Sequence, residues 1–131
     1  QYCENALTVA KFLESSDKIA SVRYPALPGN EHYERAQKYL PMGTSGVMSI
    51  DIKGGRAPAM KFMDSLKLAC NEVHVADIRT CVLHPASETH RQLTDEQLVA
   101  AGIEPGMVRI SVGLENVEDI IADLKQALDQ I

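Results

Sequence analysis

The clearest alternation of apolar and polar residues lies near the end of the chain. Val108, Ile110 and Val112 are separated by Arg109 and Ser111. A repeat of two is typical of a half-buried strand, because successive side chains point to opposite faces of a sheet. The pattern therefore predicts a strand with one apolar face and one polar face that carries Arg109.

A helical repeat follows this strand. Asn116 precedes Glu118 and Asp119, an order typical of a helix cap with acids in the first turn. The apolar stripe consists of Val117, Ile120, Ile121, Leu124 and Leu128. We expect this helix to cover the apolar face of the strand and to leave Arg109 on the opposite face, towards solvent or a partner domain.

The preceding chain divides into short elements bounded by proline, glycine and polar turns. The pattern predicts helices around residues 6–13, 33–40, 59–66 and 95–101, and strands at residues 19–24 and 46–52. Thr94 and Gln97 form a capping box for the helix at 95–101. Two further apolar segments, 72–76 and 79–83, lie on either side of Asp77. The expected fold class is α+β: one domain over residues 1–131, a two-layer sandwich of a small, mostly antiparallel sheet with helices on one face.

Composition and charge narrow the classes of partner. The chain has 131 residues, of which 45% are hydrophobic and 24% charged, and a formal net charge of -5. An acidic balance disfavours nucleic acid and anionic membranes as partners, and no apolar run is long enough to span a bilayer. The cysteines Cys3, Cys70 and Cys81 are odd in number and lack CxxC spacing, which favours a reducing compartment, the cytoplasm. The start at Gln1, directly on a helical pattern, hints at a piece of a longer protein.

Arg109 is the residue with the strongest functional interpretation, although the pattern alone leaves two alternatives open. Exposed faces of sheets are usually polar, so Arg109 could be a solvated surface residue. A guanidinium on a rigid strand could equally hold a carboxylate or phosphate through paired hydrogen bonds.

Other candidate motifs are weaker. Lys53 to Arg56 (KGGR) lacks the spacing of a phosphate loop and is more typical of a tight strand-to-helix turn. The residues His74, His84 and His90 with Cys81 have no metal-ligand spacing, so no metal site is predicted and His84 is interpreted as structural. No spacing suggests a catalytic triad, and no catalytic residue is predicted.

Several stretches together resemble one enzyme family. They are residues 24–28 (YPALP), 39–41 (YLP), 53–56 (KGGR), 64–68 (DSLKL), 84–90 (HPASETH) and 108–115 (VRISVGLE). In this order they are similar to the carboxy-terminal part of the Cys/Met-metabolism pyridoxal-phosphate enzymes, over roughly residues 5–128 of this chain. That family includes cystathionine synthases and lyases, methionine gamma-lyases and O-acetylhomoserine sulfhydrylases. Residues 24–40 and 93–106 most resemble the sulfhydrylase branch.

The resemblance implies roles for individual residues. The arginine of the VRISVGLE run holds the alpha-carboxylate of the substrate in the family, which here implies Arg109. A second carboxylate contact comes from a Ser or Asn position that His74 occupies here, so His74 is a second substrate-binding candidate. Ala76 stands where many members carry glycine.

The resemblance also implies a cofactor and partners. Pyridoxal 5'-phosphate binds a lysine in the amino-terminal domain of the family, and none of the lysines here has that context: Lys11, Lys18, Lys38, Lys53, Lys61, Lys67 and Lys125. The implied partners are therefore the amino-terminal domain of the same chain and other copies in a homotetramer, and this piece alone is expected to be inactive. The implied function is a transferase that replaces the acetate of O-acetylhomoserine by sulfide or a thiol in methionine and homocysteine synthesis. The alternatives are a cystathionine or methionine gamma-lyase, a synthase, or a free-standing amino-acid-binding module.

Overall fold

The computed structural model describes residues 1–131, which form five helices and five strands. In chain order they are α1 (Tyr2–Glu14), β1 (Ile19–Arg23), α2 (Tyr33–Tyr39), β2 (Val47–Ile52), α3 (Arg56–Ser65), β3 (Cys70–Asn71), β4 (Cys81–Leu83), α4 (Asp95–Ala100), β5 (Met107–Ser111) and α5 (Val117–Leu128). None of these helices has the length and apolar character needed to cross a membrane.

The strands form one sheet in the order β1-β2-β5-β4-β3. All neighbouring pairs are antiparallel except β3 and β4, which are parallel. In this register Arg109 on β5 lies between Ser49 on β2 and Leu83 on β4. The predicted α+β fold with a small, mostly antiparallel sheet is confirmed.

Helices α1 and α3 pack against one face of the sheet, and both contact α5, whose buried residues belong to the same apolar core. The apolar positions of β5 and α5 meet there: Val108, Ile110 and Leu124 are all 0% exposed. The cap predicted at Asn116 is present, since its side-chain oxygen accepts the backbone N–H of Glu118. The alternation in β5 and the helical stripe in α5 therefore predicted the packing of both elements.

A buried carboxylate connects α5 to the chain that leaves α3. Asp123 is 6% exposed and accepts the backbone N–H groups of Lys67, Leu68 and Ala69 at 2.8, 2.9 and 2.9 Å. A loop at this place would otherwise leave donors without partners. Asp123 thereby fixes the path of the chain into β3.

The region between β3 and β4 includes the first of the two apolar segments, residues 72–76. The segment 72–76 is a loop rather than part of the sheet, and the strand before it covers only Cys70–Asn71. Val73 and Val75 are exposed although both are apolar, so their pattern resembled a buried segment. The turn that follows places Ala76 in the left-handed region at φ 60.

The polar face of the sheet is also less open than expected. Ser111 is 1% exposed, because the loop at 72–79 covers it and the backbone N–H of Ala76 donates to its Oγ. The segment 84–106, which includes α4, runs along the same side and contributes Pro85 and Ile103 to the surroundings of Arg109. The middle of this face, around Arg109, stays open.

Candidate functional site

An open cavity of about 610 Å³ lies on the sheet face opposite the helices. Arg109 and Ser49 lie on its floor, and Leu83, Ile103 and Met107 supply apolar walls. Its rim includes residues of the loop after β4, Thr89 and His90. The cavity thus combines Arg109 and the ion-paired Arg23 with a largely apolar lining, a composition typical of sites for small organic anions.

The position of Arg109 follows from the strand that carries it. Val108 and Ile110 are both 0% exposed on the helix side of the sheet. Since adjacent side chains alternate between faces, Arg109 points to the other side, into the cavity. Pairing with Ser49 on β2 and Leu83 on β4 fixes the position of its backbone in the sheet.

The guanidinium of Arg109 has few partners within the chain. Its Nη2 donates to the backbone carbonyl of Val73 at 2.7 Å. Its Nε is buried and has no hydrogen-bond partner. A buried donor without an acceptor is costly, by about 1–3 kcal/mol, so this N–H favours an acceptor brought by a ligand.

Three of the other five arginines form ion pairs, and the remaining two, Arg35 and Arg91, are exposed. Arg23 pairs with Asp51 at 2.6 Å, and Arg56 pairs with Asp95 at 2.6 Å. Arg79 lies 3.1 Å from a carboxylate oxygen of Glu72. Arg109, half-buried, forms no ion pair with a carboxylate of this chain.

A held but unpaired guanidinium can bind a carboxylate or a phosphate. Val73 occupies one donor of Arg109 and restrains its orientation. The remaining N–H groups are arranged in the planar fork that matches a two-oxygen anion. The structure therefore favours the anion-binding interpretation of Arg109 over that of a solvated surface residue.

His74 lies apart from this cavity. Its side chain is 58% exposed, and its Nδ1 lies 2.8 Å from Glu72 and 3.6 Å from Asp77. The preceding residue, Val73, reaches Arg109 through its carbonyl. The structure thus brings the backbone beside His74, but not its imidazole, to the site, and a substrate contact by His74 stays a prediction.

His84 supports the cavity wall from inside the fold. It is 0% exposed, with Nδ1 at 2.8 Å from Ser87 Oγ and Nε2 at 2.8 Å from the Pro105 carbonyl. Because a carbonyl only accepts, Nε2 carries the proton and Nδ1 accepts from the Ser87 hydroxyl. Burial lowers the pKa of His84 and keeps its imidazole neutral. Its predicted structural role is confirmed by these contacts.

The KGGR turn is a structural connection. Gly54 and Gly55 have φ values of 92 and 82, which other residues rarely adopt, and lead from β2 into α3. The side chain of Arg56 donates to the carbonyls of Ala86 and Leu93 in addition to its pair with Asp95. The turn thereby holds the segment that forms one side of the cavity, which agrees with the interpretation as a tight turn.

Two features of the site lay beyond the sequence analysis. The carbonyl of Val73 restrains Arg109, and the segment from Pro85 to Ile103 walls the cavity. A contact made by a backbone carbonyl cannot be predicted from residue types. The HPASETH run was recognised as a motif, but the sequence did not show that it lies beside the cavity.

Relatives and a solved structure resemble this chain over almost its full length. It is 45% identical over 128 residues to O-acetyl-L-homoserine sulfhydrylase 1 of Thermus thermophilus, covering 98% of this chain and 30% of the relative. It is 44% identical over 131 residues to L-methionine gamma-lyase of Porphyromonas gingivalis, covering 100% of this chain and 33% of the relative. The chain thus spans about a third of the curated relatives it matches.

A crystal structure from Campylobacter jejuni has the same fold. It is described as an O-acetylhomoserine (thiol)-lyase with N'-pyridoxyl-lysine-5'-monophosphate, and it matches with a TM-score of 0.88 and 39% identity over 98% of this chain and 30% of that chain. Residues 1–129 match the family model described as "Cys/Met metabolism PLP-dependent enzyme", where PLP is pyridoxal 5'-phosphate. This chain therefore belongs to the family of Cys/Met metabolism PLP-dependent enzymes.

Proposed function

We propose that this chain is the substrate-carboxylate domain of a PLP-dependent O-acetylhomoserine sulfhydrylase, a transferase that replaces acetate by sulfide or a thiol. The observation that carries the proposal is the state of Arg109, half-buried, held by the Val73 carbonyl and without a carboxylate partner. The similarity to sulfhydrylases of Thermus thermophilus and Leptospira meyeri, each at 45% identity, supports this substrate class.

In this proposal Arg109 binds the alpha-carboxylate of the amino-acid substrate. Its donors on the rigid strand β5 hold both carboxylate oxygens, which fixes the orientation of the alpha carbon and its hydrogen. The apolar walls formed by Leu83, Ile103 and Met107 exclude water around the aliphatic part of the substrate. The cofactor, when bound in the whole enzyme, supplies the electron sink of the reaction.

The residues at the cavity do not provide a lysine for this cofactor. No lysine lines the cavity beside Arg109, and Lys53, on the turn after β2, instead donates to the carbonyl of Asp17 at 2.7 Å. We therefore propose that pyridoxal 5'-phosphate is held by an amino-terminal domain of the same protein. The chain alone would then be inactive.

The open side of the cavity is the surface we assign to that domain. Arg109 lies on its floor and exposed apolar residues such as Val73 lie on its rim. We propose that the large domain closes this side, that the whole enzyme is a homotetramer, and that it works in the cytoplasm. Light scattering of the full-length protein during size exclusion tests the tetramer, and fractionation of cells tests the compartment.

The central experiment changes Arg109 to Ala in the full-length enzyme. Loss of a charge-assisted pair worth about 2–3 kcal/mol raises KM for O-acetylhomoserine by about 30- to 150-fold. Turnover also falls, because the alpha hydrogen is no longer positioned. Arg91→Ala, at an exposed arginine, is the matched control and leaves both constants unchanged. An unchanged KM in Arg109→Ala contradicts the proposal.

A methionine gamma-lyase is the second candidate function. It is favoured by the 44% identity to the Porphyromonas gingivalis lyase, nearly the same as to the sulfhydrylases. Product analysis separates the two reactions. A sulfhydrylase forms homocysteine and acetate from O-acetylhomoserine and sulfide, whereas a lyase releases methanethiol from methionine alone.

A free-standing amino-acid-binding module is an alternative of another class. It predicts that the isolated chain binds an alpha-carboxylate ligand measurably in calorimetry. If the chain is instead one domain of a longer enzyme, the isolated chain is expected to have no useful affinity, because the large domain that closes the open side of the cavity is missing. The span of about 30% of the first relative favours the domain over the module.

A further inference from the structure

The loop between β3 and β4 gathers four groups that can bind a metal ion. They are Glu72, His74, Asp77 and Cys81, and one ligand atom from each lies within 4.8 Å of all the others. His74 Nδ1 is the centre of the group, 2.8 Å from Glu72 Oε2 and 3.6 Å from Asp77 Oδ2. None of the four lines the Arg109 cavity, and His74 is also the predicted second substrate contact.

The fold holds this loop in place without help from a metal. Cys70 and Cys81 pair across parallel strands, which sets the two ends of the loop side by side. The backbone N–H of Ala76 donates to Ser111 at 3.1 Å. Near its other end, the Ile78 carbonyl accepts the backbone N–H of Leu114 at 2.8 Å, so the loop rests directly on the backbone after β5. The cluster is therefore preorganised by contacts that do not involve its ligand atoms.

Cys81 is the residue that sets this cluster apart from an ordinary group of surface acids. It is 1% exposed, yet its thiol faces the exposed loop rather than the helix-side core. The only hydrogen bond of its Sγ is a weak one, 3.6 Å to the Arg79 carbonyl. Burial, together with Asp77 and Glu72, raises the pKa of the thiol. A divalent cation at this place would have a thiol and two carboxylates within reach at once.

The donor set indicates the class of metal. A thiol and an imidazole together favour zinc and related thiophilic ions, whereas magnesium and calcium prefer oxygen ligands alone. Four such ligands, one each from Cys and His and two carboxylates, match the coordination number of zinc.

We propose that Glu72, His74, Asp77 and Cys81 form a binding site for a thiophilic divalent cation, with Zn²⁺ as the probe. In the structure the guanidinium of Arg79 occupies part of this place, 3.1 Å from Glu72 and 3.2 Å from Asp77. Its side chain is 48% exposed and can turn into solvent. The ion and Arg79 therefore compete for the same carboxylates.

The sequence raised His74 and Cys81 as metal-ligand candidates, but their spacing predicted no metal site. Its candidate histidines included His84 and His90, whereas the fold places His84 on Pro105 and Ser87 and leaves His90 on the rim of the cavity. The two acids that complete the cluster lie close to His74 only because the loop turns back at Ala76.

The test measures Zn²⁺ binding to the full-length protein by isothermal titration, with Co²⁺ absorption as a report of coordination. The intact site binds one ion, and Co²⁺ gives visible d–d bands of a tetrahedral centre at longer wavelength than pyridoxal absorbs. His74→Ala and Cys81→Ala each weaken Zn²⁺ binding by at least about tenfold, and Cys81→Ala also removes the thiolate-to-cobalt band.

A matched control and a gain-of-affinity variant complete the test. His32→Ala removes a histidine that is 54% exposed and lies 3.7 Å from Glu31, and it leaves binding unchanged. Arg79→Gln removes the competing cation and tightens binding. The proposal is overturned by the absence of stoichiometric Zn²⁺ binding, by equal affinity in His74→Ala and His32→Ala, or by no gain in Arg79→Gln. Because His74 and Arg79 are exposed, these variants stay informative even where Cys81→Ala fails to fold.

Discussion

The two faces of the sheet are built from alternate residues of the same strands, and they are held in different ways. On the helix side, β2 and β5 contribute Met48, Ile50, Val108 and Ile110, which are at most 2% exposed within one continuous apolar core. On the other side the same strands carry Ser49 and Arg109, covered only in part by loops.

This difference separates stability from binding. Burial of apolar area stabilises the helix side, at roughly 25 cal/mol per Å² removed from water. The loop side instead keeps an unpaired guanidinium and an open cavity, which contribute little to folding and remain available to a ligand. Substitutions on the helix side are therefore expected to lower stability, whereas substitutions around Arg109 are expected to lower ligand binding with little effect on stability.

The largest effect is expected at the centre of the helix side. Phe62 on α3 is 0% exposed, and Phe62→Ala lowers the free energy of unfolding by about 3–5 kcal/mol, through lost burial and the cavity left behind. Met60→Ala on the same helix, at a residue 44% exposed, changes it by less than about 0.5 kcal/mol. Urea unfolding of both variants measures the difference. Equal losses would contradict a core confined to this face.

The next effect concerns the polar anchor of the same side. Asp123→Ala leaves the N–H groups of Lys67, Leu68 and Ala69 without their acceptor and lowers the free energy of unfolding by about 2–4 kcal/mol. Asp129→Ala, which removes an exposed pair with Lys125 at 2.8 Å, costs less than about 1 kcal/mol. Denaturant titration at one pH compares the two, and similar losses would show that Asp123 is not an anchor.

On the loop side, His84 makes stability depend on pH. Its folded pKa is lowered from 6.5 by burial, so below that pH the unfolded chain binds a proton that the folded chain excludes. Stability contributed by neutral His84 is present above the unfolded pKa and is lost as the pH falls through it. We expect the wild type to lose more stability than His84→Gln between about pH 8 and about pH 5.5. If the free energy of unfolding, measured by denaturant titration, changes equally with pH in the two proteins, His84 is not a buried neutral imidazole.

A smaller, stabilising effect is expected in the loop before β4. Ala76 has φ 60, a conformation that costs an L-residue roughly 1–2 kcal/mol and glycine nothing. The greater conformational entropy of glycine in the unfolded chain offsets part of this relief. Ala76→Gly is therefore expected to raise the free energy of unfolding by about 0.5–1 kcal/mol. Ala101→Gly, at a residue with φ -85, lowers the free energy of unfolding by a similar amount. Thermal unfolding of both variants gives the sign, and a loss in Ala76→Gly would show that the loop relaxes.

The smallest effect on stability is expected at Arg109 itself. Arg109→Met removes one hydrogen bond to Val73 and one buried N–H without a partner, and these changes nearly cancel, to within about 0.5 kcal/mol. Arg56→Met, which removes the pair with Asp95 and two carbonyl contacts, destabilises the chain by about 1–2 kcal/mol. Chemical unfolding of the two variants compares them directly. A large loss in Arg109→Met would mean that Arg109 serves the fold rather than a ligand.

Local sequence patterns correctly predicted the elements whose structure is decided by residues close to them in sequence. The alternation around Arg109 and the capped helix from Asn116 appear as β5 and α5, because residues close in sequence decide both periodicity and caps. The capping box at Thr94 is likewise present. The apolar pattern at 72–76 did not reveal that Val73 and Val75 stay exposed, since no local pattern shows which apolar residues a fold will leave uncovered.

The sequence by itself determined the order of the elements, the face on which Arg109 lies and, through the motifs at 84–90 and 108–115, the family. The tertiary structure decided that Val73 restrains Arg109, that its Nε has no acceptor, and that Cys81 meets His74. The physical reason is distance along the chain. Hydrogen bonds and burial join groups that are far apart in sequence, so their pairing depends on how the whole chain packs.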